Sequence, residues 1–240
     1  MGNKKRLLFY RWTICLLGGL IFKILVFVKL IEIIGNEKRK FSLSPNEGLL
    51  VIYRHPSLKE SGLLPLLFFP RFLFDARYFP FPTPDKRYFS QWWFFLFRPT
   101  CVCINQKSDA WEEVKDILRQ GQVLIMAPGG SREFKGKRFK IIRDGNIETV
   151  KISLPQGKDC NREEYDKLHK EARGIIIQRF KPGIGRILQE VSVPVLPIFV
   201  EASRIRLKFI IGEPVRLSQG LSREIITSTL EDILLKTGDR

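Results

Sequence analysis

At 240 residues the chain is long enough for one well-cored domain and short for two independent ones. Hydrophobic residues make up 44% and charged residues 28%, which excludes a disordered chain and a wholly membrane-embedded one. The net charge of +16 calls for an anionic surface or ligand, without distinguishing lipid, phosphate and nucleic acid.

The chain opens with Lys4-Lys5-Arg6 and an apolar run that Arg11, Lys23 and Lys29 interrupt. Its longest uncharged stretch, Trp12 to Phe22, is short of the roughly 20 residues that cross a bilayer, and no small-residue cleavage site follows. Residues 1–40 therefore read as a helical segment lying in the membrane interface. Arg11, Lys29 and Glu32 fall on one side of it, and Gly18-Gly19 offers a place to bend.

The remainder, 41–240, reads as one α/β domain. After a charged connector, Asn36 to Lys40, the run Gly48 to Tyr53 has the character of a buried strand and ends at Arg54-His55. Phe68 to Phe97 holds half of the chain's Phe, Trp and Tyr residues, and Pro70, Pro80, Pro82 and Pro84 forbid one long helix there. This block reads as the lining of an acyl-chain groove, as a membrane-interface element or as plain core. TCVCI reads as a strand with Cys101 and Cys103 on one face. A helix is predicted from Ser108 through Arg119, with Gly121 as its left-handed cap. QVLIMA is a further buried strand leading into APGGSRE at 127–133, VPVLPIFV another, and Ile205 to Ile211 its antiparallel neighbour.

The segment 134–174 differs in texture and reads as an inserted, solvated hairpin plus helix. Asp144-Gly145 makes the turn, and Asn161 and Glu164 stand in capping-box positions. His169 sits within that charged helix as a surface histidine. The sum is a central mixed sheet flanked by helices, preceded by the interfacial segment. Cys15, Cys101, Cys103 and Cys160 are too scattered for a disulfide framework and read as reduced thiols. No Cys/His cluster has metal-ligand spacing.

The chemistry-bearing residues lie after two strands. RHPSLKE puts His55 and Glu60 five apart, and a helix starting near Pro56 folds the carboxylate back toward the imidazole. A carboxylate fixes the histidine tautomer and stabilises the imidazolium, so the other ring nitrogen can take a proton from a hydroxyl. By spacing alone the pair is as compatible with a structural role.

The order of blocks adds to this. HPSLKE after a buried strand, APGGSRE after another, then RFKPGIG and VPVLPIFVE, resembles the PlsC-like glycerolipid and lysophospholipid acyltransferase superfamily over roughly Gly48 to Pro214. That family's blocks read His-x4-Asp, Phe-Pro-Glu-Gly-Thr-Arg-Ser and Val-Pro-Val-x-Pro. The resemblance implies that His55 is the catalytic base and Glu60, standing where Asp is usual, its carboxylate partner. It implies that Arg132 binds the acceptor's phosphate and that Pro128, Gly129, Gly130 and Ser131 shape the acceptor side, with Gly129 in place of the family's glutamate. Where the second block ends in arginine, CVCINQ has Asn105 and Gln106. The PGG-Arg-Glu form is nearer the diacylglycerol acyltransferase-like branch, so the implied acceptor is a lysophospholipid or a diacylglycerol-like lipid.

Transfer from a thioester, acyl-CoA or acyl carrier protein, requires a base, oxyanion donors and a way to hold two apolar substrates together. It requires no enzyme nucleophile and no cofactor. Ser57 and Ser131 lack a nucleophile-elbow setting, which favours direct transfer. The basic run Lys135, Lys137, Arg138, Lys140 and Arg143 can serve a head group, coenzyme A phosphates or the anionic membrane. The expected partners are an anionic membrane surface on the cytoplasmic side, the thioester donor and the glycerolipid acceptor.

Nucleic acid is not expected as a partner, because the aromatics cluster with aliphatics rather than with Lys and Arg. PGGSRE lacks the spacing of a nucleotide-binding P-loop. The second reading kept is a catalytically inactive lipid-binding relative acting as an interaction protein, motivated by Glu60, Gly129 and Gln106.

Overall fold

The computed structural model describes residues 16–40, 47–53, 59–84, 101–103, 108–128, 180, 183–203 and 205–238. Its centre is a six-stranded mixed sheet with helices on both faces. The strands are β1 (Ile31–Ile34), β2 (Leu49–Tyr53), β3 (Pro80–Pro82), β4 (Val123–Met126), β5 (Val195–Ala202) and β6 (Leu207–Ile211), in the spatial order β1-β6-β5-β2-β4-β3. β3, β4, β2 and β5 run parallel to one another, β6 is antiparallel to β5, and β1 is parallel to β6.

The sequence explains the placement. LLVIY and VLIM are uninterrupted apolar runs and become the central strands β2 and β4, buried along their whole length. β3 begins and ends on proline and lies at an edge, where a missing N–H costs no ladder bond. The other edge, β1, carries the exposed Glu32, a charge that discourages further strand pairing.

Alternation along β2 divides the core. Leu49, Val51 and Tyr53 face a layer made by α1 (Leu16–Phe27) and the segment from 59 to 79, including Leu64, Leu67, Phe68, Phe69 and Phe72. Leu50 and Ile52 face α4 (Ser108–Arg119), α5 (Gly183–Glu190) and α6 (Arg223–Gly238). Two shorter helices, α2 (Lys59–Leu63) and α3 (Arg71–Phe74), belong to the first layer.

The expected helix α4 has the expected bounds. Gly121 has φ 76°, and the N–H groups of Gly121 and Gln122 close back on the carbonyls of Leu118 and Ile117 at 3.1 and 3.2 Å. This is a Schellman ending, and it delivers the chain to β4. The antiparallel pairing of β5 with β6 also follows the expectation.

Three local expectations are corrected. The N-terminal helix does not continue through Glu32; it stops at Phe27, Lys29 adopts a left-handed φ of 59°, and IEII joins the sheet beside β6. Nor does Gly18-Gly19 divide the described helix: α1 runs unbroken from Leu16 to Phe27, and Gly19 is the point at which it presses on the Phe69 ring.

TCVCI forms no strand among its described residues. Val102 N–H reaches Pro82 O at 3.0 Å, but the prolines of β3 have no N–H to return, so a ladder cannot build. Val102 is buried while Cys101 and Cys103 are half-buried, and neither cysteine is in a disulfide.

The described part of the aromatic block, 68–84, is mostly core, with Phe74 left exposed. Phe68, Phe69, Phe72, Tyr78 and Phe79 are buried, and edge-to-face contacts run Phe69–Phe72–Phe79–Phe81 at centroid distances of 5.7 to 6.0 Å. The half from 85 to 100, and the insertion 134–174, lie outside the described residues. Among the described residues no helix is long and apolar enough to cross a membrane.

Candidate active site at the carboxyl ends of β2 and β4

β2 and β4 are hydrogen-bonded neighbours running the same way, with Ile52 opposite Met126. The chain after Tyr53, bearing His55, and the chain after Met126, bearing APGGSRE, therefore leave the sheet from the same edge. They diverge. The described segment 59–79 that follows β2 packs on the face of Leu49 and Val51, whereas α5, the next described helix after β4, lies on the face of Leu50 and Ile52. In open α/β sheets, ligands commonly bind beyond the carboxyl ends of adjacent parallel strands whose connections go to opposite faces.

Glu60 is the second residue of α2 and is fully buried. A carboxylate out of water is held by specific partners, not by solvation, so its position is set by the local fold. Pro128 is buried two residues beyond β4. His55, Gly129, Gly130, Ser131 and Arg132 lie outside the described residues, as do Asn105, Gln106 and the basic run.

Sequence reasoning missed the hydroxyls beside Glu60. Tyr53 ends β2 with its side chain buried, and its Oη lies 3.3 Å from Ser61 Oγ. Burial is the largest influence on the Tyr53 phenol and pushes it up to about 12; the hydrogen bond from Ser61 works against this, and the charge of Glu60 adds to it. The available signal was a tyrosine closing an otherwise aliphatic strand, since a buried phenol has to find a polar partner.

A cleft of about 410 Å³ opens at the other edge of the sheet, at the amino end of β5, between Leu188–Ser192 and Leu217–Leu221. Its ionisable group, Glu190, is bonded to Lys115, so the cleft offers no comparable acid–base pair. Among the described residues no group of three or more His, Cys, Asp or Glu side chains is placed to hold a metal ion.

No protein-family model matches the chain, and no curated protein matches its sequence. The chemistry therefore rests on the residues and on this sheet edge.

Proposed function

We propose that the protein is a membrane-docked O-acyltransferase of the PlsC-like kind. It moves a fatty acyl group from acyl-CoA or acyl carrier protein to a hydroxyl of a glycerolipid, a lysophospholipid or a diacylglycerol-like lipid. The observation that carries the reading is the shared departure of the HPSLKE and APGGSRE segments from neighbouring parallel strands. The strand ends Tyr53 and Met126, far apart in sequence, lie at one edge of the sheet, and Glu60, shortly after β2, is fully buried.

In this mechanism His55 takes the proton of the acceptor hydroxyl as its oxygen attacks the thioester carbonyl. Glu60 stabilises the imidazolium that forms. The tetrahedral adduct collapses with loss of thiolate, which takes the proton from His55, leaving ester, free thiol and neutral base. Backbone N–H groups of the Gly129–Ser131 loop are the candidate oxyanion donors, and Arg132 holds the charged part of the acceptor or donor.

Docking to the cytoplasmic face of an anionic membrane is part of the same proposal. Leu17, Leu20, Ile21, Ile24, Phe27 and Val28 make an exposed apolar stripe along α1 and its end, spaced as one helix face. Leu207 N–H bonds to Leu30 O at 3.0 Å, so the end of this stripe lies near the β5–β6 turn, where Ile205 is also exposed. That turn follows β5, which is parallel to β2 and β4, so the stripe reaches the edge at which those two strands end. The positive charge of the chain suits an anionic leaflet.

The deciding experiment is acyl transfer from acyl-CoA and from acyl carrier protein to a panel of lysophospholipids and diacylglycerol, with His55→Ala beside the parent. Activity lost in the variant supports the enzyme. Equal signals from the two proteins reject it and favour the inactive lipid-binding relative that Glu60, Gly129 and Gln106 suggest.

A further inference from the structure

We propose that Tyr53 and Ser61 form a hydroxyl clasp that positions Glu60 at the carboxyl end of β2; the inference rests on the reading of Glu60 as the partner of His55. α2 spans only Lys59–Leu63, too short to hold its own shape, so its placement depends on side-chain anchors. On its far side the chain is fixed by Leu64 and Leu67, both buried against the sheet. On its near side stands the Tyr53–Ser61 bond, 3.3 Å long, which ties the residue after Glu60 to the last residue of the strand.

The chemistry of the two groups suits holding and not proton transfer. The Tyr53 phenol, pushed up to about 12, stays neutral across the physiological range, and the charged group acting on it is Glu60. Two hydroxyls that can each donate or accept fix geometry without adding charge beside a buried carboxylate. A carboxylate that must meet an imidazole tolerates displacements of only about 0.5 Å before orientation is lost. Tyr53 and Ser61 are thus positioning residues.

The test uses the chain's histidine count. His55 and His169 are its two histidines, so the full chain labelled with ¹³C-histidine gives two titrating signals, which His55→Ala assigns. Glu60→Gln should lower the His55 midpoint by about one pH unit. Tyr53→Phe and Ser61→Ala should each lower it by roughly half as much. Ser61→Thr, which keeps the hydroxyl, should restore it, and His169 should not respond to any of them. Thermal melts of every variant identify any that fail to fold, and either hydroxyl alone is sufficient for the test. A midpoint that moves with Glu60→Gln but not with Tyr53→Phe or Ser61→Ala overturns the clasp while leaving the His55–Glu60 pairing intact. A midpoint indifferent to Glu60→Gln overturns the pairing, and the clasp with it.

Discussion

Gly19 of α1 lies directly against the ring of Phe69: a Cβ built on Gly19 would stand 2.5 Å from Phe69 Cγ. Lys23, one turn further along the helix, places its ammonium 5.9 Å from the centre of the same ring. Close approach at Gly19 is what lets a short apolar helix seat on the aromatic layer while its other side stays exposed.

Substitution at this contact should therefore separate two neighbouring glycines. Gly19→Val is expected to destabilise the fold by roughly 1–3 kcal/mol, the usual range for overpacking. At Gly18 a Cβ meets only the flexible end of Leu66 at 3.3 Å, so Gly18→Ala should be neutral or stabilising through helix propensity by up to about 1 kcal/mol. Chemical denaturation of the two variants checks this, and equal losses would contradict the packing.

Glu231 on α6 gives a pH signature of the opposite kind from most carboxylates. Its carboxylate accepts a hydrogen bond from Phe180 N, yet burial is the largest influence and raises its pKa, with Asp232 adding to the rise. A raised folded-state pKa means that the folded state holds the proton more tightly. The stability it contributes is present below the ordinary Glu value and declines as pH rises through the folded one. Glu231→Gln keeps an acceptor for Phe180 and removes the charge. It should be more stable than the parent at pH 7, with the gap closing below about pH 4.5.

Lys115 and Glu190 behave conversely. Lys115 is buried between α4 and α5 and bonds to both Glu112 and Glu190. The Lys115 hydrogen bond is the largest influence on Glu190 and holds its pKa below the usual value, with Arg186 helping. The stability this carries is present above the ordinary Glu value and lost as pH falls through the lowered one. Thermal melts of Glu190→Gln against the parent should differ at pH 7 and converge in acid; a constant difference would contradict the assignment.

How much of this architecture could be read in advance follows from where local and tertiary signals agree. β2, α4 and β4 were legible because an apolar run, a polar-to-apolar periodicity and a capping glycine each point to one structure. β1 was not, because Leu30–Ile34 continues an apolar run that also fits a helix, and only pairing with β6 and the turn at Lys29 decide it. The aromatic block was ambiguous for a related reason: its composition suits a lipid-facing surface and a core alike, and only packing decides that Phe69, Phe72 and Phe79 belong to the core layer beside α1 and β2. At the candidate site, His55 and the PGGSR loop are motif-based expectations, and His55 and Gly129–Arg132 lie outside the described residues. Tyr53 and Ser61 belong to no motif and emerge only when the end of β2 meets α2.

Alkaline titration offers a direct check on the burial of Tyr53. With its phenol pushed up to about 12, the stability it contributes is intact below pH 10 and lost as pH rises through the folded value. The difference in unfolding free energy between the parent and Tyr53→Phe should shift by roughly 2–3 kcal/mol against the parent between pH 9 and pH 12. Other groups titrate in this range in both proteins, and the comparison removes them.

The exposed stripe on α1 yields the last prediction. Phe27 is 87% and Ile24 59% exposed, and neither is among the residues of the aromatic layer, so charge introduced there should spare the fold. If the stripe enters a bilayer, Ile24→Glu or Phe27→Glu forfeits the transfer of one large side chain, about 1.5–3 kcal/mol. That corresponds to a loss on the order of 10- to 100-fold in partitioning onto vesicles. Sedimentation with vesicles containing anionic lipid should show this loss, with unchanged melting temperature. Binding of the parent should weaken in high salt, because the electrostatic share is screened while the apolar share persists. Variants that bind as the parent does would place the membrane contact elsewhere on the molecule.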